Sequence, residues 1–132
     1  MVLVDTSVLI DFLRGRQNET TQKFDDLLSS RLPFGINAYI YQEVLQGAAS
    51  ESDFQKLKKY LDTQTIYALA RGLASYAEAA RIYFRCRAAG VSVRSTVDCL
   101  ICQTAIENHL SLLHHDTDFT RIAQVVKELK IF

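Results

Sequence analysis

The sequence predicts an α/β fold with a mainly parallel central sheet flanked by helices. Short apolar segments of strand length alternate with longer helical patterns along the whole chain. The opening run Val2-Leu3-Val4 has no polar alternation, as expected of a strand buried on both faces. The chain has 132 residues, 48% of them hydrophobic and 23% charged, with a single proline and no repeat or linker. That composition excludes disordered, collagen-like and low-complexity classes and predicts one domain spanning residues 1–132.

The elements follow in order. Val2–Val4 reads as the first strand, ending at Asp5. Thr6–Arg14 reads as a helix closed by Gly15. Thr21–Arg31 has a second helix pattern, with Phe24, Leu27 and Leu28 on one side. Phe34–Ile36 is a short strand, and Ala38–Ala48 is helical. Ser52–Leu61 is an amphipathic helix that places Lys56, Lys58 and Lys59 outside. Thr65–Ala68 is a candidate strand. Arg71–Ala89 is the longest helix, rich in alanine. Then come a helix over Thr96–Asn108, a strand over Ser111–His114, a helix over Phe119–Val126 and a closing strand over Leu129–Phe132. Parallel sheets of this kind bind ligands beyond the carboxyl ends of their strands.

Several acids stand where a surface role does not account for them. Asp5 ends the first strand, and Asp116 follows Ser111–His114 with Asp118 two residues on. Asp is a favoured helix N-cap, so capping alone accounts for each of these singly. Asp98 is different. At 100° per residue, Ile101, Cys102 and Ala105 fall within about 60° of it, and Thr96 and Glu107 fall nearly opposite. A capping box with Ser95 explains an acid there, but not its place at the head of the apolar stripe. Glu43 is the only charged residue between Leu32 and Ser50, and Ile36, Tyr39, Ile40 and Gly47 share its face. An isolated carboxylate on such a face is costly unless it is paired or binds a cation.

Two acids at strand ends and two on apolar helix faces point to one shared pocket. Clustered carboxylates raise one another's pKa unless a divalent cation holds them. An all-oxygen donor set favours Mg²⁺ or Mn²⁺ over zinc or copper. The 15 basic and 15 acidic residues cancel, but setting these five acids aside leaves 15 bases against 10 acids, a balance of +5. An acidic hole in a basic chain suits a metal-assisted reaction on a polyanion. Between Arg71 and Val97 there are five arginines and one acid, Glu78, and arginine grips phosphate in a bidentate fork. A solvated helix face explains those arginines equally well.

Other constellations are weaker. Cys99-x-x-Cys102 with His109 or His114 sketches a zinc site, but i,i+3 cysteines within a helix share its apolar face and pack there as small hydrophobes. No Gly-rich phosphate loop or nucleophile elbow is present. No apolar run reaches membrane-spanning length. The N-terminus has no basic region ahead of its apolar residues, so it does not read as a signal peptide. With the odd count of three cysteines, this predicts reduced thiols and a cytoplasmic protein.

The segments carrying these acids resemble the motifs of PIN domains, and of the bacterial VapC-type toxins in particular. The opening is Val2-Leu-Val-Asp5-Thr-Ser-Val-Leu-Ile-Asp11. Glu43 stands in Tyr41-Gln-Glu-Val-Leu-Gln-Gly47, and Asp98 in Arg94-Ser-Thr-Val-Asp98-Cys-Leu-Ile. The closing motif is Leu112-Leu-His-His-Asp116-Thr-Asp118-Phe119. The resemblance implies a PIN-like three-layer fold and a Mg²⁺- or Mn²⁺-dependent ribonuclease acting as the toxin of a toxin–antitoxin pair. It further implies a homodimer that a small antitoxin holds inactive. The implied catalytic residues are Asp5, Glu43, Asp98 and Asp116; Asp118 joins them as a metal ligand, and Thr6 is a supporting residue. Phe12, Leu13, Phe54 and Leu57 are candidates for a groove that receives the antitoxin. Two other readings stay open: a DNA nuclease or phosphatase using the same carboxylate logic, and a non-catalytic PIN interaction module.

Overall fold

The computed structural model describes residues 1–132. Five strands and seven helices alternate as β1 (Val2–Val4), α1 (Thr6–Leu13), α2 (Glu19–Ser29), β2 (Phe34–Ile36), α3 (Ala38–Gln46), α4 (Glu51–Leu61), β3 (Thr65–Ile66), α5 (Leu73–Ala88), α6 (Thr96–Glu107), β4 (Ser111–Leu113), α7 (Thr117–Val125) and β5 (Lys130–Ile131). All four strand pairings are parallel, and the sheet order is β3-β2-β1-β4-β5. The expected α/β class and parallel sheet are borne out.

The order of the strands positions everything that follows. From β1 the chain builds outward through β2 and β3, then returns to the other side of β1 for β4 and β5. The order in which strands are added therefore reverses between β1 and β4. In open parallel sheets the loops after two such strands part and leave a crevice at their carboxyl ends. Val4 pairs with Leu113, and the Asp5 amide donates to the Leu113 carbonyl at 2.9 Å. Asp5 and the segment leading to Asp116 thus leave the sheet side by side.

Val2, Leu3 and Val4 are at most 1% exposed, which explains the unbroken apolar run: helices cover both faces of the central strand. Phe24, Leu27, Ile40, Leu61, Ile101, Leu112, Phe119 and Ile122 complete the core around them. Transfer of such side chains out of water is worth about 1.5–3 kcal/mol each. Gly35 on β2 is required by crowding. A Cβ there would collide with the Thr65 carbonyl and the Tyr67 ring where β3 lies alongside.

Several boundaries differ from expectation for identifiable reasons. The second helix starts at Glu19, because Asn18 caps it and forms a reciprocal pair with Thr21; Thr21 therefore sits inside the helix instead of beginning it. Leu28 is 40% exposed and does not share the buried side of Phe24 and Leu27. β3 is only two residues long and exposed, since it is a sheet edge with one partner. α5 begins at Leu73 because Gly72 takes a positive φ of 57° just before it. All three cysteines are free and buried, and burial pushes the Cys99 thiol up to about 11. They behave as apolar packing residues, as expected.

Candidate metal centre

Asp5 is 4% exposed at the end of β1. Its Oδ2 accepts from the Ser7 amide at 3.1 Å and the Ser7 hydroxyl at 2.6 Å. One oxygen thus caps α1, and Oδ1 is left for the crevice. Ser7 also ties the two parting loops together, because its Oγ accepts from the His115 amide at 3.0 Å. Asp116 repeats the design at the end of β4: its Oδ1 accepts from the Asp118 amide at 2.9 Å and caps α7. Capping and a place at the crevice are therefore not alternatives for either residue. The strand-to-helix turn that calls for a cap is also the turn that opens the crevice.

Glu43 and Asp98 come from α3 and α6. Glu43 Oε1 accepts from the Thr6 hydroxyl at 2.9 Å, which fixes it beside Asp5. The two helices are held to each other by buried Asn37, which caps α3 through Ile40 N at 2.8 Å and donates to Thr104 Oγ1 of α6 at 3.1 Å. Asp98 is half-buried in the first turn of α6. Ser95 caps that helix through Val97 N, and the capping box with Asp98 does not form. The Asp98 carboxylate is left for the cluster. Oxygens of Asp98, Asp116 and Asp118 lie within 4.8 Å of one another.

The electrostatics record the crowding. Burial pushes Asp98 up to about 7, and the charges of Asp5, Asp116, Asp118 and Glu43 all push it the same way. Burial likewise raises Asp5 to about 6, opposed by its bonds from Ser7 and reinforced by Glu43. Asp98 therefore lies near enough to the other four acids singled out in the sequence to feel the charge of each, and Asp5 near enough to feel that of Glu43. Such a set of hard oxygen donors, two of them held well above the usual carboxylate range by burial and mutual repulsion, fits a divalent cation of the Mg²⁺ or Mn²⁺ kind.

The chain belongs to the PIN domain family. The family model described as "PIN domain" matches residues 2–125. Ribonuclease VapC11 of Mycobacterium tuberculosis and VapC ribonuclease Mb1587 of Mycobacterium bovis are each 31% identical to this chain, over 95% of it and 93% of their own length. Among solved structures, VapBC-1 from nontypeable Haemophilus influenzae matches with a TM-score of 0.75 at 16% identity, covering 100% of this chain and 97% of that one. VapBC2 from Rickettsia felis, bound to a promoter DNA fragment, matches with a TM-score of 0.73 at 17% identity, covering 100% and 98%. At these identities the structural matches speak for the fold, which is that of a PIN domain.

Three features of this PIN domain were not foreseen. Ser7 and Asn37 position the acids, and both sat in plain view as a serine in the first turn of α1 and an Asn before α3. The third is Arg94, whose Nε and Nη2 donate to Asp118 at 3.2 and 3.1 Å, with Arg121 at 3.6 Å. Asp118, which the resemblance counts only as a further metal ligand, is thus a buried acid already matched by arginine. Of the residues expected to line a groove (Phe12, Leu13, Phe54 and Leu57), Leu13 and Leu57 face a small cleft of about 100 Å³ between α1, α3 and α4. Phe12 packs edge-on against Phe24 with centroids 4.8 Å apart, and Phe54 and Leu57 pack on the core. The larger apolar groove, about 550 Å³, runs between α5 and α6 and is lined by Tyr76, Tyr83, Val93 and Leu100.

Proposed function

We propose that this PIN domain is a metal-dependent endoribonuclease acting as the toxin of a toxin–antitoxin pair. The observation that carries the reading is Asp98: a half-buried carboxylate opposed by four others and converging with Asp116 and Asp118. Burial of a carboxylate among like charges is an unfavourable arrangement for a fold alone and a useful one for a cation. The similarity to VapC ribonucleases supports RNA as the substrate.

Asp5, Glu43, Asp98 and Asp116 would hold the Mg²⁺ or Mn²⁺, with Asp118 at their edge. When bound, the ion supplies positive charge against the phosphodiester and lowers the pKa of a water. The protein's own part is positioning. Ser7 holds the Asp5 carboxylate in place by donating to Oδ2, Thr6 holds Glu43, and Asn37 ties α3 to α6.

Partners follow the same reading. The toxin–antitoxin complexes among the structural neighbours support a small protein antitoxin that masks the acidic crevice. Leu73, Tyr76, Tyr83 and Phe84 are 87%, 47%, 42% and 59% exposed on one stripe of α5, which supports a homodimer through that helix. No helix is long and apolar enough to cross a membrane. We place the activity in the cytoplasm, with residues 1–132 as one nuclease domain.

Expression tests the toxin reading. The chain alone should arrest growth of a bacterial host, and a small protein encoded beside it should relieve the arrest. Equal harmlessness of the wild type and of Asp98→Ala would count against it. A panel of RNA, single-stranded DNA and a phosphomonoester should give cleavage of RNA; preference for either of the others would favour a DNA nuclease or a phosphatase.

A further inference from the structure

Five arginines lie between Arg71 and Val97, and the structure separates their tasks. Arg71 pairs with Glu107, Arg81 with Glu78 and Arg85 with Glu128. The Arg87 guanidinium lies 5.7 Å over the Tyr83 ring. Arg94 alone reaches the acidic crevice. It stands just before the cap of α6, whose first turn carries Asp98, and crosses to α7 to meet Asp118.

The geometry of that pair is asymmetric. The Asp118 side chain is 6% exposed and the Arg94 side chain 74% exposed. A buried carboxylate therefore grips one edge of a guanidinium whose remainder faces solvent. Arginine has five N–H donors in a fixed plane, and the two contacts to Asp118 leave three free. Arg121, three residues along α7, adds a second cation near the same carboxylate. Asp118 is thus neutralised from two sides, and Arg94 is held rigid at the rim of the acids. As stability alone, a pair this exposed on one side is worth little. As a preoriented phosphate binder it is well made, because the entropy of fixing a long side chain is met before any ligand arrives.

We infer that Arg94 is the substrate-phosphate clamp of this site: anchored by Asp118, its free N–H groups grip a non-bridging oxygen of the single-stranded RNA backbone at the mouth of the acidic crevice. The inference rests on the ribonuclease reading above. It answers a problem that the crevice itself creates, namely how a polyanion approaches five carboxylates.

The test compares wild type, Arg94→Ala, Arg94→Lys and the control Arg81→Ala. Steady-state cleavage of a labelled single-stranded RNA in Mg²⁺ gives KM and kcat. Fluorescence anisotropy with the same RNA, on an Asp5→Asn background, gives affinity without turnover as KCl is varied. Arg94→Ala should weaken binding about tenfold and make the dependence of log K on log salt shallower by about 0.7, the loss of one phosphate contact to a single strand. Arg94→Lys should restore the salt dependence but only part of the affinity, because an ammonium cannot make the fork. Arg81→Ala should change neither. Thermal melts establish that each variant is folded, and Arg94→Lys carries the test if Arg94→Ala is not. Unchanged affinity and salt dependence in Arg94→Ala, or an equal change in Arg81→Ala, overturns the clamp while leaving the ribonuclease standing. A wild-type chain that binds Mn²⁺ yet neither binds nor cleaves RNA overturns both.

Discussion

Replacing Asp5 by Asn separates the two demands that the turn after β1 makes on its acid. In the folded chain without metal, burial raises Asp5 from 3.8 to about 6. The folded state thus holds this proton more tightly than the unfolded chain does. Stability is then greatest below about pH 4, falls as the pH rises towards 6, and stays reduced above it. The rise corresponds to a cost of about 3 kcal/mol for the ionised form at pH 7.5. Asn carries no charge and keeps an oxygen that can accept from the Ser7 amide, so the cap survives. Its weaker bond to the Ser7 hydroxyl and to the helix N-terminus gives back about 1 kcal/mol. Asp5→Asn in metal-free buffer should therefore be more stable than wild type by about 1–2 kcal/mol at pH 7.5, a rise in Tm of about 5 °C. At pH 4, where wild-type Asp5 is mostly protonated, the gain should vanish. Thermal melts followed by circular dichroism at the two pH values, with EDTA present, give the difference directly. A variant less stable than wild type at pH 7.5, or a gain independent of pH, would refute the reasoning and leave Asp5 as a structural cap.

Other outcomes follow from particular contacts. Thr6→Val removes the hydroxyl that holds Glu43 and should lower kcat on RNA about tenfold, with a stability change within about 1 kcal/mol; unchanged kcat would mean Glu43 needs no such anchor. Gly35→Ala should destabilise the fold by about 2 kcal/mol or more through the clash with Thr65 and Tyr67, seen as a lower denaturant midpoint with unchanged slope. Added Mn²⁺ should raise Tm more at pH 7.5 than at pH 5.5, since Asp5 and Asp98 must lose their protons to bind it.

Much of this was legible in the chain, and the reasons are physical. The unbroken Val2-Leu-Val run is what burial on both faces of a parallel strand demands, so β1 could be read directly as a buried strand. Glu43 and Asp98 were conspicuous because a charge on an apolar helix face needs a partner; in the fold Glu43 accepts from Thr6, and Asp98 lies among the other acids. What a one-dimensional pattern could not show was pairing across the crevice. Arg94 and Asp118 are 24 residues apart, and nothing in the spacing distinguishes Arg94 from the other four arginines of its segment. The apolar residues divided likewise. Phe12 and Phe54 have the same amphipathic signature whether they fill the core or line a groove, and only packing against Phe24 and its neighbours decides. Ser7 and Asn37 escaped notice because a serine or an asparagine at a helix start is satisfied by capping alone; their second bonds, to His115 and Thr104, bridge elements far apart in the chain.

The most direct measurement of the central claim is RNA cleavage by the purified, antitoxin-free chain as a function of divalent metal, with Asp98→Asn in parallel. The account predicts no cleavage in EDTA, recovery on addition of Mg²⁺ or Mn²⁺, and a loss of at least about a hundredfold in Asp98→Asn while its melting temperature stays at or above the wild-type value. Cleavage that persists in EDTA, or an Asp98→Asn chain that cleaves at the wild-type rate, would contradict it.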